Sequence, residues 1–359
     1  MANLYVTSAE TFSGKSALCI GLGARFRTEG FKAGYMKPVN INCRLREGLP
    51  FDDDVAFAKE IFDMPELPTL LGPVALTPAK LEQQLRGPET DYESRFMEAF
   101  TKLSADRDVM VLEGGRSWRE GYVAGLSPKR VVELVQARVL IVLKYEPTLL
   151  ADRALAAQDY FGAALMGVVI NEVSRAQADH VHDTLEPYLA RHNLPVLGVL
   201  RKDPLLAAPT VAELAEGLHA EILCAAEKTS ELVEHMLVGA MSAEAALSYF
   251  RRKPNKAVIT GGDRADIQLA ALETSTRCLI LTGNLYPSPV VLNRADELGV
   301  PVLLADVDTL GAIEVVESFI GRSRVQLPQK VERFSALLNE RFNYAALYES
   351  LALKPGTRT

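Results

Sequence analysis

The chain has 359 residues, 48% hydrophobic and 24% charged, an ordinary globular composition with length for two full cores. Its net charge of −7, without a long basic run, excludes an electrostatic footprint for nucleic acid. No apolar stretch reaches membrane-span length, the N-terminus enters a strand without a signal peptide, and the four cysteines lack metal-ligand spacing, so reduced thiols in a cytoplasmic protein are expected.

The first apolar run, Leu4-Tyr5-Val6, leads into Ser8-Ala9-Glu10-Thr11-Phe12-Ser13-Gly14-Lys15-Ser16 and then into a helical stretch beginning Ala17-Leu18-Cys19. Strand, glycine-containing loop, Lys-Ser and helix together form the mechanical context of a phosphate-binding loop. Backbone N–H groups and the helix N-terminus can face an anion there, Lys15 can reach outer phosphates, and Ser16 can ligate Mg²⁺. The usual first glycine of the pattern is absent; the alternative reading is a chance loop before a buried helix.

Apolar runs then alternate with helical patterns. Strands are expected at 4–7, 33–37, 109–113, 139–144, 166–171 and 196–200, with helices at 92–103, 128–135, 149–160 and 176–191. Buried strands separated by helices, without hairpin turn pairs, predict an α/β fold with a doubly wound parallel sheet. Ligands in such sheets sit beyond the carboxyl ends of the strands. Lys37 closes the second run before Pro38 and reads as a solvated lysine or as one facing that rim. Asp52-Asp53-Asp54 reads as a helix cap, as a carboxylate source for Mg²⁺ at Asp54, or as both. Glu113 ends the run Val109-Met110-Val111-Leu112, where an unpartnered carboxylate would be costly, and Gly114-Gly115 permit a tight turn after it. A second Mg²⁺ carboxylate belongs at that point. Asn171, after Val169-Ile170, reads equally as a turn residue or as a base contact.

Thr11, Gly14-Lys15-Ser16, Met36-Lys37-Pro38-Val39, Asp54, Glu113-Gly114-Gly115 and Val169-Ile170-Asn171 together resemble the dethiobiotin synthetase family in order and spacing. That family has a phosphate-loop fold and uses Mg-ATP to activate a carbamate before ring closure. The resemblance implies that the loop residues Glu10, Thr11, Ser13, Gly14, Lys15, Ser16 and Ala17 hold nucleotide. It also implies that Ser16, Asp54 and Glu113 hold Mg²⁺, that Lys15 and Lys37 act on phosphoryl charge, and that Asn171 contacts adenine. It implies a homodimer. Ser8 and Glu10 depart from the family's glycine and aspartate.

Beyond 196–200, two prolines mark the loop 201–210, and helical sequence is expected from 211 to about 229. Four βα units follow, with strands at 236–241, 257–260, 278–282 and 302–305. Gly261-Gly262-Asp263-Arg264 reads as a strand-to-helix turn with Asp263 as its cap, or as an anion site with Thr260 and Arg264. Val238-Gly239-Ala240-Met241, the run from Thr260 to Ile267 and residues 306–309 resemble the DRTGG domain. Two glycines let the backbone approach an anion, Arg264 offers a planar donor fork and Asp263 opposes a bare phosphate, so Thr260, Gly261, Gly262, Asp263 and Arg264 are the expected ligand residues, for a small nucleotide or similar polar metabolite. The two resemblances in this order match the N-terminal architecture of long bacterial phosphate acetyltransferases. Roughly 35 residues remain after Gly321, too few for the acetyl-transferring domain.

The expected organisation is a nucleotide-binding domain at 1–220, a smaller α/β domain at 221–322 and a helical tail at 323–359. The tail carries Val331, Phe334, Leu338, Phe342 and Ala345 at helical spacing, which predicts an amphipathic helix packed on its own chain or on a second copy. Three functions fit the pattern: a Mg-ATP-binding regulatory protein, an ATP-dependent enzyme activating a carboxylate or carbamate, or a scaffold that has lost nucleotide. The retained Lys15, Ser16, Asp54 and Glu113 argue against the last.

Overall fold

The computed structural model describes residues 1–41, 43–46, 49–87, 90–319 and 326–354. The chain divides into two compact units, Met1–Lys202 with Val325–Thr359, and Asp203–Arg324.

The first unit is built on six parallel strands: β1 (Ala2–Ser8), β2 (Ala33–Met36), β3 (Val109–Glu113), β4 (Arg138–Lys144), β5 (Leu165–Val173) and β6 (Val196–Arg201). Their order across the sheet is β6-β5-β4-β1-β3-β2. Continuous apolar runs serve both faces of such a sheet, which is why β3 is buried along its whole length. The strand order reverses beside β1, which pairs with β3 on one side and β4 on the other. That reversal opens a crevice at the carboxyl end of β1.

Two helices shape the crevice. α1 (Lys15–Thr28) is apolar nearly all round, from Ala17 to Gly23, so it is buried on more than one face. Its second cover is the tail. The helix Pro328–Arg341 lays Phe334 and Leu338 on α1, and Gly21 is the place where they meet it. The tail thus packs on its own chain. Its stripe ends at Phe342, which bridges to Gly198; a second helix, Tyr344–Ser350, starts afresh, so Ala345 is exposed and Leu347 is buried instead. α2 (Asp53–Ile61) starts from the Asp52 cap. One local pairing departs from the sequence reading: Arg44–Arg46 runs antiparallel to Leu49–Phe51, strands too short to show alternation.

The second unit carries β7 (Glu221–Cys224), β8 (His235–Val238), β9 (Lys256–Gly261), β10 (Thr276–Thr282) and β11 (Val302–Leu304). Their order is β7-β11-β10-β9-β8, parallel except for the β7–β11 pair. Alternation along β9 and β10 sends Val258 and Leu279 to one core, with Phe250 and Ile267, and Ile259 and Ile280 to the other, with Leu214 and Val316. The expected helix at 211–229 is corrected here. It ends at Leu218, where His219 turns left-handed at φ 50°, and β7 follows as an exposed edge strand. Among the described residues no helix is long and apolar enough to cross a membrane.

Candidate functional site

The loop between β1 and α1 closes on Gly14, whose φ of 94° suits glycine. A Cβ there would also strike the Asn171 amide, which donates from Nδ2 to the Ser13 carbonyl at 2.9 Å. The loop is therefore held from the end of β5. No side chain caps α1, so its positive end faces the loop. Buried Ser13 Oγ and Thr7 Oγ1 have no hydrogen-bond partner among the described residues. Ser13 lies in the loop and Thr7 at the end of β1, so both hydroxyls keep hydrogen-bonding capacity at the carboxyl end of that strand. Glu10 pairs with Arg153 at 2.8 Å, and Thr11 is exposed. Ala17 is buried within α1.

Glu113 is the centre of the cluster. Only 1% exposed, it receives Ser16 Oγ at 2.6 Å and Lys15 Nζ at 3.1 Å on Oε1, and the Tyr35 hydroxyl at 2.8 Å on Oε2. Burial alone would raise its pKa. The Lys15 and Lys37 charges, with the hydroxyl bonds from Ser16 and Tyr35, outweigh that and hold it down to about 2. Glu113 thus stays ionised, and Tyr35, its phenol pushed up by burial and by that negative neighbour, stays a donor.

Lys37 lies beside this group, buried, with Nζ 2.8 Å from Asp52 and 3.3 Å from Asp54. Burial works against its charge, but Glu113, Asp54 and Asp52 together raise its pKa above the ordinary lysine value. Asp52 divides its oxygens: Oδ1 caps α2 through the N–H groups of Asp54 and Val55, and Oδ2 holds Lys37. Cap and charge cluster coexist in one acidic run. Burial raises the Asp54 pKa, and Lys37 opposes the rise. Asp54 also accepts from Gln326 Nε2 at 3.0 Å.

The structure therefore brings Lys15, Ser16, Lys37, Asp54 and Glu113 together at one rim, with Asn171 supporting the loop. Sequence reasoning missed Tyr35, Arg153 and Gln326. Only Tyr35 left a signal, since a phenol in a buried strand needs a partner.

In the second unit, buried Thr260 is the last residue but one of β9, with Oγ1 3.4 Å from the Gly239 carbonyl. Gly262 lies so close to the Leu285 carbonyl that a Cβ would not fit. Buried Gln268 donates to the Gly261 and Gly262 carbonyls at 2.9 and 3.0 Å, fixing the turn from inside. Asp263 does not cap the following helix, Ala265–Leu272; Arg264 holds the cap position without a side-chain bond. The Arg264 guanidinium pairs with Asp266 at 3.0 Å and donates to the Met241 carbonyl. The turn collects Thr260, Gly261, Gly262, Asp263 and Arg264 at one strand end, with its guanidinium already paired.

Comparison with known proteins finds two family models in this order: an AAA domain matched by residues 2–210 and a DRTGG domain matched by residues 213–319. A phosphate acetyltransferase of Nitrosomonas europaea is 26% identical over 76% of this chain and 39% of its own length. One from Nitratidesulfovibrio vulgaris is 24% identical over 99% of this chain and 52% of its own length. The ATP-dependent dethiobiotin synthetase BioD of Xanthomonas campestris pv. campestris is 27% identical over 58% of this chain and 95% of its own length. The chain spans about half or less of the phosphate acetyltransferases it matches.

Proposed function

The chain belongs to the AAA-domain family, with a DRTGG domain after the family's segment, and from that premise we propose that it binds Mg-ATP in the first unit. The second unit serves in this reading as a regulatory, ligand-sensing module. The observation that carries the proposal is Glu113 Oε1, which gathers Lys15 and Ser16 at an uncapped helix N-terminus beside the strand reversal. Phosphate oxygens suit the α1 N–H groups and the Gly14 loop. Ser16, Asp54 and Glu113 offer only oxygen donors, two of them carboxylates, which fits a hard cation. Bound Mg²⁺ would supply neutralising charge to the phosphates. Lys15 and Lys37 are the cations available to the outer phosphoryl group, and Asn171 is the proposed adenine contact. Thr260, Gly261, Gly262, Asp263 and Arg264 form the proposed ligand turn of the second unit, for a small nucleotide or similar polar metabolite.

Calorimetry with ATP and Mg²⁺ tests the reading. Lys15→Ala removes a charge-assisted contact, and affinity should fall at least about tenfold. Equal affinity in both proteins would place nucleotide elsewhere or nowhere. A second reading, ATP-dependent activation of a carboxylate or carbamate, is favoured by buried Lys37 and by the likeness to a dethiobiotin synthetase. It requires ATP consumption that depends on an added acid. The homodimer implied by the first resemblance belongs to the proposal too, and a monomer by light scattering at high concentration would remove it.

A further inference from the structure

Both carboxylate oxygens of Asp54 are taken by side chains of the chain itself. Oδ2 lies 3.3 Å from Lys37 Nζ, and Oδ1 accepts from Gln326 Nε2 at 3.0 Å. The two contacts differ in how readily they can be exchanged. Lys37 has a closer partner in Asp52, at 2.8 Å, so it can leave Asp54 without losing its counter-charge. Gln326 comes from far along the sequence, after the residues that form the second unit. It stands two residues before Pro328, the first residue of the tail helix. Phe334 and Leu338 hold that helix on α1, so the helix that follows Gln326 is anchored by contacts other than the one to Asp54.

We propose that Gln326 is a positioning residue for a divalent cation: its amide holds Asp54 Oδ1 and leaves Oδ2 as the oxygen presented to the ion. The proposal rests on Asp54 being a cation ligand, as read above. Carboxylate ligands are oriented by such outer hydrogen bonds, and losing one commonly costs 10–100-fold in metal affinity.

The test is Mn²⁺ binding to the full chain without nucleotide, read by loss of the free-ion electron paramagnetic resonance signal. Gln326→Ala should weaken binding about 10–100-fold relative to the wild type. ATP affinity measured in EDTA should stay within about twofold, because the loop and Lys15 are untouched. Hydrogen exchange across residues 328–341 should be unchanged. Equal Mn²⁺ affinity in both proteins overturns the inference, as does a wild type that binds no Mn²⁺. So does a variant whose tail helix loses protection, since the amide would then be holding the tail and not the carboxylate. ATP binding in EDTA that is indifferent to Lys15→Ala would instead defeat the nucleotide reading and leave the Mn²⁺ comparison standing.

Discussion

Gly14 and Asn171 make one joint, and their substitutions should not add. Gly14→Ala forces an alanine to φ 94° and drives its Cβ into the Asn171 amide. The left-handed backbone alone costs about 1–2 kcal/mol. Asn171→Ala leaves the Ser13 carbonyl unpaired, at about 1–3 kcal/mol. In the double variant the clash is gone while the strained φ remains. Urea denaturation should therefore show the pair destabilised by less than the sum of the singles; strict additivity would mean that Gly14→Ala leaves the Asn171–Ser13 bond undisturbed. Tyr35→Phe should cost about 1.5–3 kcal/mol, because it removes a donor from a buried, ionised Glu113. A loss within error would show that Lys15 and Ser16 suffice to hold that carboxylate. Gly14-Lys15-Ser16 and Glu113 were legible in the sequence because each announces itself locally, one as a loop before a helix, the other as an acid ending an apolar run. Asp52 was legible as a cap but not as the partner of Lys37. Gln326 and Arg153 were not legible: they reach the rim from 272 and 143 residues away, and no local pattern encodes a contact made by the fold.

The elements of both sheets follow from apolar runs of ordinary strand length, and the observed strands differ from expectation mainly at their ends. β7 escaped because its four residues, Glu221-Ile222-Leu223-Cys224, continue the apolar spacing of the helix before them. Only the left-handed turn at His219 separates the two, and a histidine does not advertise that conformation as glycine does. The tail was half legible. Its stripe predicted a helix, but a stripe carries no address, and the partner is set by the small Gly21 face on α1. Phe334→Ala should accordingly destabilise the first unit by about 3–5 kcal/mol, the usual cost of emptying a buried aromatic site. Limited proteolysis should then cut within 328–350 before it cuts the sheet. A variant as resistant as the wild type would show that the tail docks without Phe334.

At the scale of the whole molecule the two units place lysines in opposite electrostatic settings. In the first unit Lys15 pairs with Glu113, and Lys37 pairs with Asp52 and Asp54, carboxylates that raise its pKa. Lys256 in the second unit is buried at the start of β9, where Thr274 Oγ1 at 2.7 Å and the Ser275 carbonyl at 2.9 Å accept from it and the Phe250 ring lies 5.9 Å away. Burial lowers its pKa from the ordinary 10.5 to about 8. The sign of the consequence follows from proton counting. Below about pH 8 folded and unfolded chains both carry this proton, and the folded state bears the full cost of a buried charge. Between about 8 and 10.5 the unfolded chain still holds the proton that the folded chain has released, so stability rises with pH. Above that window the cost is gone. Hydrogen exchange, corrected for the intrinsic rate at each pH, should show protection in β9 and β10 increasing from pH 8 toward 10, relative to β3 of the first unit. Lys256→Met should flatten that rise, because no proton is then released on folding. A wild type and a variant with the same pH profile would mean that Lys256 reaches water in the folded state and that its burial costs the second unit nothing.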